Sequence, residues 1–148
     1  MIDVRNFLVG GWMSPNDASR SISSAVTGET IARAGSDAVD FQAVLDYARG
    51  VGGPALRALT FHDRARILKA LALHLSEHKQ QLYELSYQCG STLADSKIDI
   101  DGGIGTLLVY ASKGLRELPD DTVLLDGDLE QLSRSGTFVG QHMCFPKR

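Results

Sequence analysis

The spacing of apolar residues changes at Gly35, and this change constrains the fold more than any other feature of the chain. Before Gly35, short runs punctuated by glycine predict strands over residues 6–34. Beyond it, apolar residues recur every three or four positions, which predicts helices over residues 36–118. Residues 129–145 predict two further strands. We therefore expect an α+β fold, mainly helical, with an N-terminal strand meander, four helical segments and a C-terminal strand pair.

Glycine turns are predicted to join the first strands. Gly10 and Gly11 form the expected two-residue turn of a hairpin. Gly28 is expected to supply the positive φ of a second turn. Near the other end of the chain, residues 120–128 are expected to form an acidic loop before the strand pair begins.

Capping residues and glycines predict where the helices begin and end. Ser36 or Asp40 is expected to cap the first helix, and the glycines and proline of residues 50–54 are expected to end it. Residues 60–63 resemble a capping box at the start of the most strongly periodic helix. Gly90 fits the left-handed position that closes a later helix.

Charge and hydropathy exclude several classes of partner. The 15 Lys and Arg residues against 18 Asp and Glu give a formal net charge of -3, which provides no basic field for a phosphate backbone. No apolar run approaches the roughly 18 residues of a membrane span, and the N-terminus lacks the features of a secretory signal. We expect a cytoplasmic protein with no nucleic-acid or membrane partner. Cys89 and Cys144 are expected to be small buried residues.

The segment His74–His78 matches the H-x-x-E-H arrangement of one class of zinc peptidase. A helical wheel centred on Leu68 places His74, Glu77 and His78 about 80° to 180° from the apolar face. A catalytic zinc needs a third ligand in a closed pocket, and these side chains are expected to face water. The sequence therefore favours a solvated helix surface with no metal, and a zinc hydrolase is a minor alternative.

Three glycines, Gly102, Gly103 and Gly105, lie within four positions of a predicted helix. Each costs about 1 kcal/mol of helix stability relative to Ala. No Lys-Ser/Thr pair follows them and no predicted strand precedes them, so they form neither a P-loop nor a dinucleotide fingerprint. Either another backbone packs closely against them or a ligand needs the space, and the residues alone leave both explanations open.

Several segments, taken in chain order, resemble aldehyde dehydrogenases. Residues 7–12 resemble the ING-x-W hairpin of that family, and residues 26–32 resemble its P-x-TGE-x-IA turn. Residues 57–68 resemble the entry to its long helix, and residues 88–92 lie where its members carry E-T-G-K-P. A narrower resemblance, to the dehydrogenase halves of bifunctional phenylacetate-degradation proteins that oxidise a CoA-linked semialdehyde, covers residues 55–60, 99–107, 110–112 and 116–122.

The resemblance implies that residues 1–148 are part of a cofactor-binding domain and lack the reacting groups. In the family a cysteine thiolate attacks the aldehyde and a hydride passes to NAD or NADP. The oxyanion asparagine, the glycine-rich cofactor turn, the glutamate base and the nucleophilic cysteine come later in those chains, and neither Cys89 nor Cys144 aligns with the nucleophile. No catalytic, cofactor-binding or metal-binding residue is expected here. The chain is expected to be an inactive N-terminal fragment.

The resemblance also implies a substrate-facing segment, because the helix at residues 97–105 is similar to one that lines the family's substrate tunnel. Small residues there would admit a long acyl-CoA, and polar residues would lie near its polar parts. The expected tunnel residues are Lys97, Asp101, Gly102, Gly103 and Gly105.

Residues 129–145 resemble strands that the family uses in subunit assembly. The implied partners are the rest of the dehydrogenase or other subunits of a homo-oligomer. Apolar faces such as that of Leu107, Leu108 and Leu115 are expected to lack their usual cover, so the isolated chain should expose apolar surface and associate. The alternative function is a non-catalytic truncated paralogue that acts as an assembly or regulatory module.

Overall fold

Strands lie at both ends of the chain and helices in its middle, in a computed structural model that describes residues 1–146. The strands are β1 (Ile2–Val4), β2 (Asn6–Leu8), β3 (Gly11–Met13), β4 (Arg20–Ser23), β5 (Thr30–Ala34), β6 (Leu124–Gln131) and β7 (Val139–Cys144). The helices are α1 (Phe41–Tyr47), α2 (Gly53–Arg57), α3 (Phe61–Glu77), α4 (Lys79–Gln88), α5 (Leu93–Ser96) and α6 (Gly102–Glu117). The π-helical turns Ala48–Gly52 and Lys97–Asp101 join α1 to α2 and α5 to α6, which leaves the four helical segments that the sequence predicted.

The N-terminal strands form two small sheets. One has the order β1-β5-β4, with β1 parallel and β4 antiparallel to β5, and the other is the β2–β3 hairpin. The sequence did not predict β1, because three residues are too few to show alternation. A bidentate ion pair from Arg33 to Asp3, at 3.0 and 3.2 Å, holds β1 against β5.

The first hairpin turn lies one residue earlier than predicted. Val9 and Gly10 occupy the turn, with φ of 52° and 77°, and Gly11 pairs with Leu8 inside the ladder. This register places Phe7 opposite Trp12, with ring centroids 5.1 Å apart. The aromatic pair therefore offsets the cost of a positive φ at valine.

The first helical segment does not end at residues 50–54 as predicted; it continues through a π-helical turn and α2 to Arg57. Asp40 is the cap, and its carboxylate accepts a hydrogen bond from the Ala43 amide at 3.0 Å. Pro54 lies in the first turn of α2, just after the π-helical turn has interrupted the α-helical hydrogen-bond ladder. A missing N–H costs least at such a position, so the proline is tolerated within the helical segment.

The closest helix packing in the fold is between α3 and α6, and it uses small residues. Ala65, Ala72 and Ala111 are at most 3% exposed. A Cβ added to Gly114 would meet the Ala65 Cβ at 3.0 Å. Thr60 begins α3 with the predicted capping box, in which its hydroxyl accepts from the Asp63 amide.

The C-terminal hairpin begins earlier than predicted. Asp126 and Asp128 lie inside β6 rather than in a loop, and Gly127, with φ of 81°, lies at an irregularity in the pairing of β6 with β7. A bulge lets a strand absorb a glycine that sequence patterning treats as a breaker. Cys89 and Cys144, predicted to be buried, are both exposed. Cys89 follows the last residue of α4 and Cys144 ends a two-stranded arm, so neither reaches a core.

Much apolar surface is open to solvent. The accessible area is 10765 Å², whereas a compact monomer of 16.0 kDa is expected to expose about 7,400 Å². Leu107, Leu108 and Leu115 are only half-buried, and Tyr110 is 65% exposed. The predicted shortage of cover therefore agrees with the structure. Within residues 1–146, no helix combines the length and apolar character needed to cross a bilayer.

Candidate functional site

The five predicted tunnel residues lie together, at the π-helical turn Lys97–Asp101 and the first turn of α6. Thr92 caps α5 by accepting from the Asp95 amide. Ser96, 1% exposed, places its hydroxyl oxygen 2.8 Å from that of Ser86 and 2.9 Å from the Thr92 carbonyl. These contacts fix the start of the π-helical turn against α4.

Asp101 is held by two side chains of α4. The Tyr83 hydroxyl donates to its carboxylate at 2.6 Å, and the Lys79 ammonium lies 3.5 Å from the same oxygen. The Tyr83 hydrogen bond, together with the positive charges of Lys79 and Lys97, lowers the pKa of Asp101. The same hydrogen bond raises the pKa of Tyr83 above its ordinary value. Asp101 is therefore an ionised anchor that fixes the turn.

Lys97 remains available for other contacts. It is exposed, and within the described part of the chain its ammonium group makes no hydrogen bond or ion pair. It lies four residues before the anchored Asp101. Of the two polar residues that the sequence singled out, the structure leaves Lys97 free to meet an anionic group.

The three glycines face open space. Within residues 1–146, apart from the adjoining residues and the nearby backbone of the same helix, no atom lies within 4 Å of a Cβ added to Gly102, Gly103 or Gly105. The close-packing explanation that the sequence left open therefore does not hold for them within this chain. The close approach of helices occurs about three turns later, at Gly114.

A cleft of about 400 Å³ runs beside the anchor, between α4 and residues 91–96. Its walls include Tyr83, Tyr87 and Ser96, and none of the five predicted residues lines it. The sequence missed Tyr83 and Lys79 as the partners of Asp101. The sequence did contain a signal for this contact: Tyr83 lies on the apolar face of α4, and a buried tyrosine hydroxyl needs a hydrogen-bond partner.

A nicotinamide dinucleotide does not fit the residues described. The chain passes from β1 to its parallel partner β5 through the three strands β2, β3 and β4 rather than through a helix, so β1 and β5 form no βαβ unit. Gly102 and Gly103 lie inside a helical run and follow a helical turn instead of a strand. These elements of residues 1–146 therefore do not form the strand, glycine turn and helix that bind a pyrophosphate in dinucleotide folds, and we assign no hydride-transfer step to them.

Two comparisons connect this geometry to known proteins. Residues 12–135 match the sequence model of the aldehyde dehydrogenase family. Over 142 residues, the chain is 34% identical to a protein named 3,4-dehydroadipyl-CoA semialdehyde dehydrogenase from Aromatoleum evansii. The alignment covers 95% of this chain but 27% of that relative, so the chain spans about a quarter of the relative's length.

Proposed function

The chain belongs to the aldehyde dehydrogenase family, and from that premise we propose that it forms the N-terminal part of an NAD(P)-dependent dehydrogenase of CoA-linked semialdehydes, inactive by itself. The substrate arises in aromatic catabolism, on a phenylacetate route, and the enzyme acts in the cytoplasm. The observation that carries the proposal is the open glycine segment, Gly102 to Gly105, beside an uncommitted Lys97. In the complete enzyme NAD(P) accepts the hydride, and the present residues position substrate.

The glycines lower the stability of the helix, and they leave the space beside it unfilled. Gly102, Gly103 and Gly105 each weaken the helix by about 0.5–1 kcal/mol relative to Ala. Nothing within the described chain offsets this cost by packing against them. A wall without side chains suits a long, narrow acyl-pantetheine chain, which needs length and clearance more than directed contacts. The space is therefore explained by a substrate larger than a simple aldehyde.

The neighbouring polar groups have distinct roles in this proposal. Asp101, anchored by Tyr83, sets the orientation of the π-helical turn from which Lys97 projects. The Lys97 ammonium then supplies a flexible positive charge for a phosphate or carboxylate of the substrate. Because its carboxylate already binds Tyr83 and Lys79, Asp101 acts by orienting the π-helical turn and not by binding the substrate.

The test compares the effect of one substitution on the Michaelis constants for a long and a short aldehyde. In a complete dehydrogenase containing these residues, Gly103→Leu should raise KM for a CoA-semialdehyde about tenfold or more and leave KM for a short aldehyde nearly unchanged. Gly50→Leu is the matched control, since an added Cβ at Gly50 also meets nothing within 4 Å, but Gly50 lies in the π-helical turn Ala48–Gly52, outside the proposed substrate-facing segment. Equal increases for both aldehydes would refute the tunnel role.

The substrate itself is tested by comparing CoA-semialdehydes of different acyl chains. The Aromatoleum relative is named for 3,4-dehydroadipyl-CoA semialdehyde, whereas the proposed phenylacetate route supplies a longer unsaturated one. The proposal expects a higher kcat/KM for the longer substrate. A preference for the dehydroadipyl compound would support a CoA-semialdehyde as the substrate class but would contradict the proposed phenylacetate route.

A non-catalytic assembly module is the second candidate function, favoured by the exposed β6–β7 hairpin. Seven of the eight residues of β6, and five of the six in β7, are exposed. Both candidates predict that the chain associates, as a homo-oligomer or with other subunits. The coding sequence after Arg148 separates them: continuation into the catalytic segments supports the first, and a stop codon supports the second.

A further inference from the structure

The end of α3 carries a cluster of metal-ligating side chains that the proposed dehydrogenase role does not use. His74, Glu77 and His78 each offer a ligand atom, and these atoms lie within 4.8 Å of one another. The two imidazole centroids are 4.3 Å apart. All three residues are exposed, as the helical wheel predicted, so a hydrated ion has direct access.

The hydrogen bond of His78 fixes which of its ring nitrogens can bind a metal. Its Nδ1 lies 2.8 Å from the His74 backbone carbonyl, which can only accept, so Nδ1 carries the proton. Nε2 is then the ring nitrogen left to bind a metal. A metal-binding histidine commonly donates its other N–H in this way, because the bond orients the ring and raises its basicity.

The acidic member of the cluster has no competing partner. Glu77 forms no ion pair or hydrogen bond with any residue in the described range, 1–146. Its carboxylate therefore needs no rearrangement of another group before it can accept a cation. His74 lies in the last turn of α3, and His78, four residues later, is held to that turn by its ring hydrogen bond, so the two imidazoles lose little freedom on chelation.

From this geometry we propose that His74, Glu77 and His78 form a surface site for a divalent transition metal such as Zn²⁺, with water in the remaining position. Two nitrogens and one carboxylate form a donor set that suits Zn²⁺ and disfavours Ca²⁺ or Mg²⁺, which require oxygen ligands. In tetrahedral Zn²⁺ sites, neighbouring ligand atoms are about 3.4 Å apart. Exposed side chains can close the remaining gap by rotating about their χ angles.

The bound ion would lie at the end of α3. Glu77 is the last residue of α3, and His78 is the residue between α3 and α4. A metal held by His74, Glu77 and His78 would tie His78 to the last turn of α3 and so limit fraying of this helix end. Its function would be structural, since the site is open to water and lies outside the substrate-facing segment.

The experiment is a calorimetric titration of the 148-residue chain with Zn²⁺, with Mg²⁺ as the ion control. One equivalent of Zn²⁺ should bind, and Mg²⁺ should not. His74→Gln, His78→Gln and Glu77→Gln should each weaken Zn²⁺ binding about tenfold or more, since loss of a ligand costs at least as much as loss of an outer-shell partner. Far-UV circular dichroism of each variant checks that the helices persist.

The matched control is His142→Gln, because His142 lies 3.0 Å from Asp126 on the distant β6–β7 hairpin. Its removal should leave Zn²⁺ affinity unchanged. The proposal is overturned if His142→Gln weakens binding as much as His74→Gln, or if any one of the three cluster variants binds with unchanged affinity. A nuclear magnetic resonance titration adds a second readout, in which Zn²⁺ should shift the ring signals of His74 and His78 first.

Discussion

The two ends of α6 differ in whether other residues of the chain pack against their glycines. Near the C-terminal end, Gly114 faces Ala65 so closely that an added Cβ would lie 3.0 Å away. At the N-terminal end, Gly102, Gly103 and Gly105 face open space within the described chain. Packing explains the first glycine and leaves the other three without a partner. The comparison separates a glycine that the packing of this chain requires from three glycines that this packing does not require.

The same division extends across the molecule. The α3–α6 contact is closed by its own small side chains, whereas the β6–β7 hairpin and the exposed face that includes Tyr110 and Val109 remain open. Apolar surface of this extent is unusual for a small monomeric chain, and under the proposed function it would be covered by further protein. The chain is thus closely packed where α3 meets α6 and exposed at the β6–β7 hairpin and around Tyr110.

The largest change in stability should come from adding a side chain at Gly114, at the closely packed end of α6. Gly114→Leu places a side chain where even a Cβ meets Ala65, so the free energy of unfolding should fall by about 1–3 kcal/mol. Urea denaturation of the 148-residue chain measures this change. Gly103→Leu is the matched control and should not destabilise the chain. Equal losses in both variants would abolish the contrast between the two ends.

A smaller effect of opposite sign is expected at the open end. Gly103→Ala removes the backbone freedom of glycine from a helix without a clash, so it should raise the free energy of unfolding by about 0.5–1 kcal/mol. Gly114→Ala gains the same propensity but must displace Ala65, so it should be less favourable than Gly103→Ala. Thermal denaturation of both variants shows which of the two is more stable.

The smallest effect concerns pH and the anchor of the π-helical turn. Because the pKa of Asp101 is lowered, its carboxylate stabilises the folded chain above an unfolded pKa of about 3.9. This contribution is lost as the pH falls through the lowered folded value. Tyr83→Phe removes the main cause of the lowered pKa, so its stability deficit should be present at pH 7 and should narrow as the pH falls through the lowered folded pKa of Asp101.

Tyr87→Phe is the control for the pH experiment. Tyr87 lies one turn further along α4, is 56% exposed and has no partner among the described side chains. Its substitution should leave stability unchanged at every pH. A Tyr83→Phe deficit that stays constant from pH 7 to acid would contradict the assignment to Asp101.

The sequence predicted the helices better than the strands for physical reasons. The capping box at Thr60 and the closing Gly90, with φ of 90°, rest on local hydrogen bonding and backbone freedom, and both were confirmed. The turn at Val9 and the strand β1 depend on partners elsewhere, Trp12 and Arg33, which local patterning does not reveal. Likewise the sequence placed Asp101 in the candidate site and missed Tyr83, which comes from another helix.

The most direct test of the central claim, that these residues support a dehydrogenase and hold none of its reacting groups, is an aldehyde-oxidation assay of the purified 148-residue chain. With NAD⁺ or NADP⁺ and a CoA-semialdehyde, and with no other subunit added, we expect no reduced cofactor above the rate without protein. Formation of NADH or NADPH that scales with the concentration of this chain would contradict the claim.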